Sequence, residues 1–531
     1  MSWSSRLDAV VDAIPPWLKL LLLPLVCAIV AVWKGQDINW DLQNYHLYNP
    51  YAFLHGRMQL DLAPAGLQSY FNPFLDLIWY GLWQLLPPIV VGGLMGFVHG
   101  CNFFLLYLIA GETLPHSPRR QRLAWWLAAA GLASIGFISE LGNIMHDNFV
   151  SLPMLAALLL VLRETKGRGR LHVLLIAGVM AGAACALKLV MGLYALALCL
   201  ALLALPLPWP QKFRMALYYA VGVGLGLLAL GGYWFYEVWQ QFGNPLFPNF
   251  NNVFHAELSD PVTNRDDRFY PTSWPRFFIY PFLMSVEKQL VSELYYEQFS
   301  WGVIYVVLVL LAGKVVVTRL MRRDATQVAA LPLPACLMSA FLGFSLLIWL
   351  KLFSIYRYLI TGDLLLPIAL VAACSILWQR HGLKLGVWLV VLLTMANWSG
   401  DPDWGRSEWR SEAYSVERPA DINGVDTVLL MGQPLGWLVP AFDIPVPFLQ
   451  LMPNFYTVES AYARTLASML AQAHKIRVIF NAQDNSLEQV AQRVAQDGYV
   501  LQQSECQPMA GHLGGNTINY QYCPVARASV P

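Results

Sequence analysis

The densest chemistry in this chain lies between Lys34 and Arg57, in KGQDINWDLQNYHLYNPYAFLHGR. The stretch holds two carboxylates, Asp37 and Asp41, with a histidine, His46, and the aromatic residues Trp40, Tyr45 and Tyr48. Asp41, Tyr45 and Tyr48 recur at helical spacing and are expected on one face of a short helix. An acid, a base and aromatic rings on one such face suit sugar chemistry. The carboxylate takes a hydroxyl proton, and the rings stack on the sugar. The same composition also describes an amphipathic loop helix with an interfacial aromatic belt.

Other reactive residues lie far along the chain. Glu140, His146, Asp147 and Asn148 fall in ELGNIMHDN, and Lys188 interrupts the apolar run ACALKLVMG. Arg268 ends the charged group NRDDR within NRDDRF, whose charges also suit a salt-bridged loop, and Lys351 and Arg357 sit in KLFSIYRY. Simpler readings exist for several: Lys188 snorkelling to an interface, Lys351 and Arg357 as interfacial anchors, and Asp147 capping the helix that follows. His46, His146 and a carboxylate could together hold a divalent cation, although no spacing fixes one. No CxxC or HExxH pattern occurs, and no serine or cysteine has a nucleophile's setting.

What must position these residues is a membrane bundle. The chain has 531 residues, 57% hydrophobic and 13% charged, against about 25% charged in soluble domains. Its mean hydropathy is +0.47. Apolar stretches near 19–33, 89–111, 122–139, 149–164, 171–187, 189–206, 213–235, 302–319, 329–350, 358–378 and 385–399 predict about eleven transmembrane helices. The first is expected to be retained, since no signal-peptide cleavage pattern precedes it. Basic residues follow every second span: Arg119, Arg120 and Arg122; Arg163, Lys166, Arg168 and Arg170; Lys212 and Arg214; Lys314, Arg319, Arg322 and Arg323; Arg380 and Lys384. The positive-inside rule makes these loops and the N-terminus cytoplasmic. Segments 34–88, 140–148, 236–301 and 351–357 are then outer, as is the tail. Residues 70–111 are long enough for two spans divided at Pro87–Pro88. One crossing, 89–111, is preferred, with 71–86 in the outer interface.

Residues 1–400 thus read as a membrane domain and 401–531 as a small soluble α/β domain. In the tail, DTVLLM and IRVIF read as buried strands, SAYARTLASMLAQAHK and SLEQVAQRVAQDG as amphipathic helices, and YVLQQSECQP and TINYQYCPV as late strands. Without a GxGxxG no nucleotide site is inferred. Cys506 and Cys523 could pair in an oxidising compartment. The other six cysteines fall in apolar spans and read as packing residues. No basic tract points to nucleic acid.

A charge-coupled transporter keeps ionisable groups near the bilayer midplane. Here His99 is the main such group, whereas acids and cations gather at the outer rim, as an outer-leaflet enzyme requires. An acid-bearing first outer loop, a second outer acid before the fourth span and a soluble outer tail resemble the GT-C superfamily of membrane glycosyltransferases. Closest are bacterial relatives of its families 39, 83 and 87. GVMAGAACALKLVMG resembles their small-residue span ending in Lys, and WQQFGNPLFPNFNN resembles their FGNPxFP segment. The acidic motif here is DINWD rather than DxD, so Asp37 and Asp41 both stay candidates for the base and metal use stays open.

The resemblance implies a polytopic α-helical, GT-C-like fold with a periplasmic α/β domain, in a bacterial inner membrane. Its donor would be a polyprenyl-phosphate-linked sugar and its acceptor a glycan or glycolipid, with membrane lipids around it. Asp41 or Asp37 takes the first-loop acid position and Asp147 the second. Lys188, Arg357, Lys351 and Arg268 become donor-phosphate ligands. Trp40, Tyr45, His46, Tyr48, His146 and Asn148 become sugar or acceptor contacts. The alternatives are a lipid-linked glycan polymerase or ligase, and a lipid or glycan transporter; no internal repeat supports the last.

Overall fold

The computed structural model describes residues 16–528, apart from 168, 263–265, 296, 322–331, 379, 398–401 and 454–459. Arg168, Arg322 and Arg323 of the topology argument, and Asn264 and Arg265 of NRDDRF, therefore lie outside the described residues.

Every apolar stretch becomes a helix. The set is Pro16–Lys34, Pro88–Gly100 with Asn102–Thr113, Arg120–Leu132, Asp147–Glu164, Leu171–Leu187, Gly192–Ala204, Trp209–Phe242, Ser300–Met321, Leu333–Leu352, Ile360–Leu377 and Gly382–Ala396. Five continuous helical stretches among the described residues are long and apolar enough to cross a membrane. These are Pro88–Thr113, Trp209–Phe242, Ser300–Val317, Leu333–Leu352 and Tyr356–Leu377. By length and composition alone, that is fewer than the eleven crossings expected from sequence. One of the others, Leu171–Leu187, is cut short by a break at Lys188. Between Tyr70 and Pro88 the chain forms the helix Phe74–Leu85, of 12 residues. At about 1.5 Å per residue it is too short for a hydrocarbon core of about 30 Å.

Glycine lets two of the helices meet backbone to backbone. A Cβ on Gly178 or Gly182 would lie 2.1 Å from a carbonyl oxygen of Trp209–Phe242, and one on Gly226 equally close to Val179. Such small-residue seams are how helices approach closely in lipid. This one fixes the helix whose end carries Lys188.

The helix Asp147–Glu164 gives the bundle its polarity. Its far end joins a basic cluster: Glu112 pairs with Arg163 at 3.1 Å and with Lys166, and Glu164 pairs with Arg170 at 2.7 Å. Its 18 residues span about 27 Å, close to a bilayer core. Asp147 and the basic cluster therefore lie at opposite ends of this helix.

The tail folds on a mixed sheet. The first outer segment supplies a short strand β1 (Gln36–Asp37), and the tail supplies β2 (Arg406–Ser407), β3 (Tyr414–Val416), β4 (Thr427–Met431), β5 (Phe448–Gln450), β6 (Ile476–Asn481), β7 (Tyr499–Leu501), β8 (Gln507–Leu513) and β9 (Asn516–Arg527). The main sheet runs β3-β8-β9-β6-β4-β5, with β7 also on β9. The pairs β4–β5 and β4–β6 are parallel and the rest antiparallel. Helices Ala461–Ala471 and Leu487–Gln496 cover one face, the second opened by a Ser486/Gln489 capping box. Cys506 and Cys523 are disulfide-bonded.

The sheet's core is not confined to the tail. Alternate residues of β4 and β6 (Val428, Leu430, Ile479) pack with Tyr45, Tyr48, Tyr51 and Trp79 of the first outer segment. The opposite set (Leu429, Val478, Phe480) packs with Leu62, Tyr70 and Trp234. β1 pairs with β2 across the two halves. The Arg406 guanidinium donates to the carbonyls of Leu141 and Gly142 at 2.8 and 3.0 Å.

Candidate active site

The first outer segment enters the site through a π-helix, Leu42–His46. This rare geometry, with i→i+5 hydrogen bonds, recurs at functional sites. It changes the face expected from α-helical spacing. One residue more per turn aligns Asp41 with His46, five positions on, and rotates Tyr48 away. Tyr48 is buried and donates to Asp61 at 3.2 Å, within the core shared with the tail. Tyr45 stays beside His46, ring centroids 4.1 Å apart, and near Asp41 and Arg357.

Two carboxylate–cation pairs lie at the centre. Asp41 accepts from Arg357 Nη1. Burial alone would raise the Asp41 carboxyl, but the Arg357 guanidinium outweighs it, with help from His46 and Lys188, and holds it below the usual carboxylate range. Asp147 accepts from Lys188 Nζ at 2.6 Å, and the same ammonium reaches the Met145 carbonyl at 2.7 Å. Lys188 can do so because the helix Leu171–Leu187 stops there. Its backbone is extended, φ −144° and ψ 106°. Asp147 opens its helix just after His146, which is held at φ 71°. A positive φ at a histidine is local strain of the kind that clusters at functional sites. Glu140 lies alongside, fully buried, its carboxylate oxygens without a hydrogen-bond partner among the described residues. Burial, then the Asp147 charge, pushes it well above its usual range and favours its protonated form.

A third group adjoins these. Asp76 Oδ1 lies 2.7 Å from His46 Nδ1 and 2.6 Å from His146 Nε2, with all three residues buried. Burial pushes His46 down to about 3 and His146 to about 4, so both rings are neutral at physiological pH. His46 Nε2 and His146 Nδ1 are buried without partners among the described residues. The three ligand atoms lie within 4.8 Å of one another. Two imidazoles and one carboxylate are a donor set suited to zinc or a similar divalent ion. The triad can therefore hold such a cation.

The remaining sequence-derived residues stand apart from this centre in their contacts. Asp37 accepts from the Asn39 amide at 2.8 and 2.9 Å and from the Ile144 backbone N–H at 2.8 Å, clasping the first outer loop to the second. Burial raises its pKa despite Arg406. The Asn148 side chain donates to the Phe137 carbonyl at 3.0 Å. Lys351 is exposed, its Nζ 5.9 Å from the Trp274 ring centre. Arg268 is exposed and pairs with Asp266 and Glu293 at 2.7 Å each. Arg357 also helps lower the Asp266 carboxyl, after Arg268, so the third outer segment comes near the site. Trp40 is 42% exposed.

Two residues beside this centre have no role legible in sequence, Asp76 and Glu140. A lone carboxylate in FNPFLDLIW with no local cation is itself a sign of a distant partner.

The chain matches no family model, and no curated protein matches it in sequence. Two solved structures align with it, both of ArnT from Cupriavidus metallidurans. One, bound to undecaprenyl phosphate, has a TM-score of 0.39; the apo form has 0.41. Each is 13% identical and covers 94% of this chain and 97% of its own.

Proposed function

We propose that this protein is a GT-C-type membrane glycosyltransferase that moves a sugar from a polyprenyl-phosphate carrier to a glycan or glycolipid acceptor. It would act at the outer face of a bacterial inner membrane. The observation that carries this reading is the meeting of Asp41, Arg357, Asp147 and Lys188 at one end of the helix bundle, beneath the tail domain. The basic loops at the opposite end support a cytoplasmic N-terminus and a periplasmic tail.

The chemistry follows from the two pairs. A donor phosphate takes over the guanidinium of Arg357 and the ammonium of Lys188, freeing both carboxylates. Asp41, ionised and now unpaired, accepts the proton of the acceptor hydroxyl. The acceptor oxygen bonds to the anomeric carbon as that carbon's bond to the phosphate oxygen breaks. The bonding pair leaves on the phosphate, where Lys188 and Arg357 stabilise the developing charge. Direct displacement inverts the anomeric configuration. Asp147 orients Lys188, with the protonated Glu140 alongside. Tyr45 and the half-exposed Trp40 flank the sugar. A divalent ion on His46, Asp76 and His146 would add positive charge beside Asp41 and hold the π-helix in place.

Mass spectrometry of lipid co-purified with the full-length protein tests the donor class. A polyprenyl-phosphate species is expected in wild type and depleted in Lys188→Ala. A purified protein that neither retains nor binds added polyprenyl phosphate would overturn the proposal.

A further inference from the structure

The tail domain, with Gln43, lines a cavity of about 270 Å³ whose walls include none of Asp41, Arg357, Asp147 and Lys188. This is near the lower end of the roughly 300–1,000 Å³ typical of ligand pockets. It opens at the carboxyl ends of the parallel strands β4 and β6, where open α/β sheets place their ligands. The start of β9 closes it, because Asn481 pairs with Tyr520 in antiparallel register. Its wall is built of side-chain amides: Gln43, Gln433, Asn481, Asn485 and Asn519, with Asp484 the carboxylate. No lysine or arginine lines it among the described residues.

That lining selects by chemistry. Without a cation the cavity does not suit phosphate or nucleotide, and one carboxylate does not make a metal site. Amides donate and accept at once, as sugar hydroxyls do. Part of the wall is preset: Asp484 accepts from the Asn481 amide at 2.7 Å. The Gln433 Nε2 is buried with no acceptor among the described residues. We infer that this cleft binds a neutral, hydroxyl-rich carbohydrate.

The cleft shares a wall with the active-site loop. Gln43 is a residue of the π-helix, and its carbonyl accepts from the Trp437 backbone N–H at 2.9 Å. A Cβ on Gly436 would lie 2.0 Å from the Asn44 carbonyl oxygen. An occupant therefore rests directly against the segment carrying Asp41 and His46. That the occupant is the glycan part of the acceptor rests on the transferase reading; the cleft itself does not.

A glycan array probed with the full-length protein in detergent tests the cleft. Wild type and Asp41→Asn are both expected to retain neutral oligosaccharides in preference to sialylated or sulfated ones. Asp484→Ala/Asn485→Ala should bind at least tenfold more weakly. Asn519→Trp, at an exposed position, should fill the cleft and abolish retention. No retained glycan, a preference for anionic glycans, or wild-type retention by both cleft variants would overturn the inference. If Asp41→Asn loses neither glycan binding nor transfer, the catalytic reading fails while the cleft stands.

Discussion

Two aspartates of the first outer segment, Asp61 and Asp41, form arginine pairs of opposite character. Arg57 and Asp61 are sealed, with side chains 3% and 0% exposed. The guanidinium spends its donors on both Asp61 oxygens and on the carbonyls of Ile444 and Val446. Asp61 also accepts from Tyr48 and from the Phe448 backbone. Every group is satisfied, and the result joins the membrane half to the tail sheet. In the pair of Asp41 and Arg357 the cation keeps 20% of its side chain open, and Lys188 opposite Asp147 keeps 19%. A saturated pair has nothing left to offer a ligand. A pair with an open cation can exchange its carboxylate for a phosphate. Saturation, rather than residue type, separates the clasp from the site.

Breaking the clasp should therefore cost folding and breaking the site should cost turnover. Arg57→Ala leaves a buried carboxylate uncompensated, which costs about 3–5 kcal/mol. A large fall in thermal unfolding temperature is expected, with loss of transfer following from it. Asp41→Asn should lower transfer by about 10²–10⁴ while the unfolding temperature stays near wild type. Equal damage to stability in both variants would erase the contrast. Lys188→Ala removes charged hydrogen bonds of about 1.5–3 kcal/mol. Donor affinity, read as KM or by titration, should weaken by about ten- to a hundredfold.

The smallest effect is on pH. Asp41 must be ionised to act, and Arg357 depresses its pKa. The acid limb of kcat/KM for the donor reports the protein before phosphate engages Arg357, and should lie below the ordinary Asp value of about 3.9. In Arg357→Gln burial acts unopposed by that guanidinium, so this limb should move toward neutral pH. An unmoved limb would mean that Asp41 is not the titrating base.

Much of this layout is legible in sequence. Lys188 stands out because a charge in an apolar run needs a reason. Strands DTVLLM and IRVIF and both tail helices lie where periodicity puts them. Less legible is Asp76, whose partners are 30 and 70 residues distant in the chain, beyond any local pattern. The short strands β2, β3 and β5 are two or three residues long and carry no periodic signal at all.

Hydrophobic runs, their small-residue seams and the placement of basic loops follow from composition, because lipid and the membrane's charge asymmetry act on each segment separately. Which carboxylate meets which cation does not. A π-turn shifts the reactive face by one residue, Asp37 is spent on the Ile144 amide, and the tail shares its core with residues 42–80. Those outcomes depend on contacts between segments hundreds of residues apart, and only the packed chain decides them.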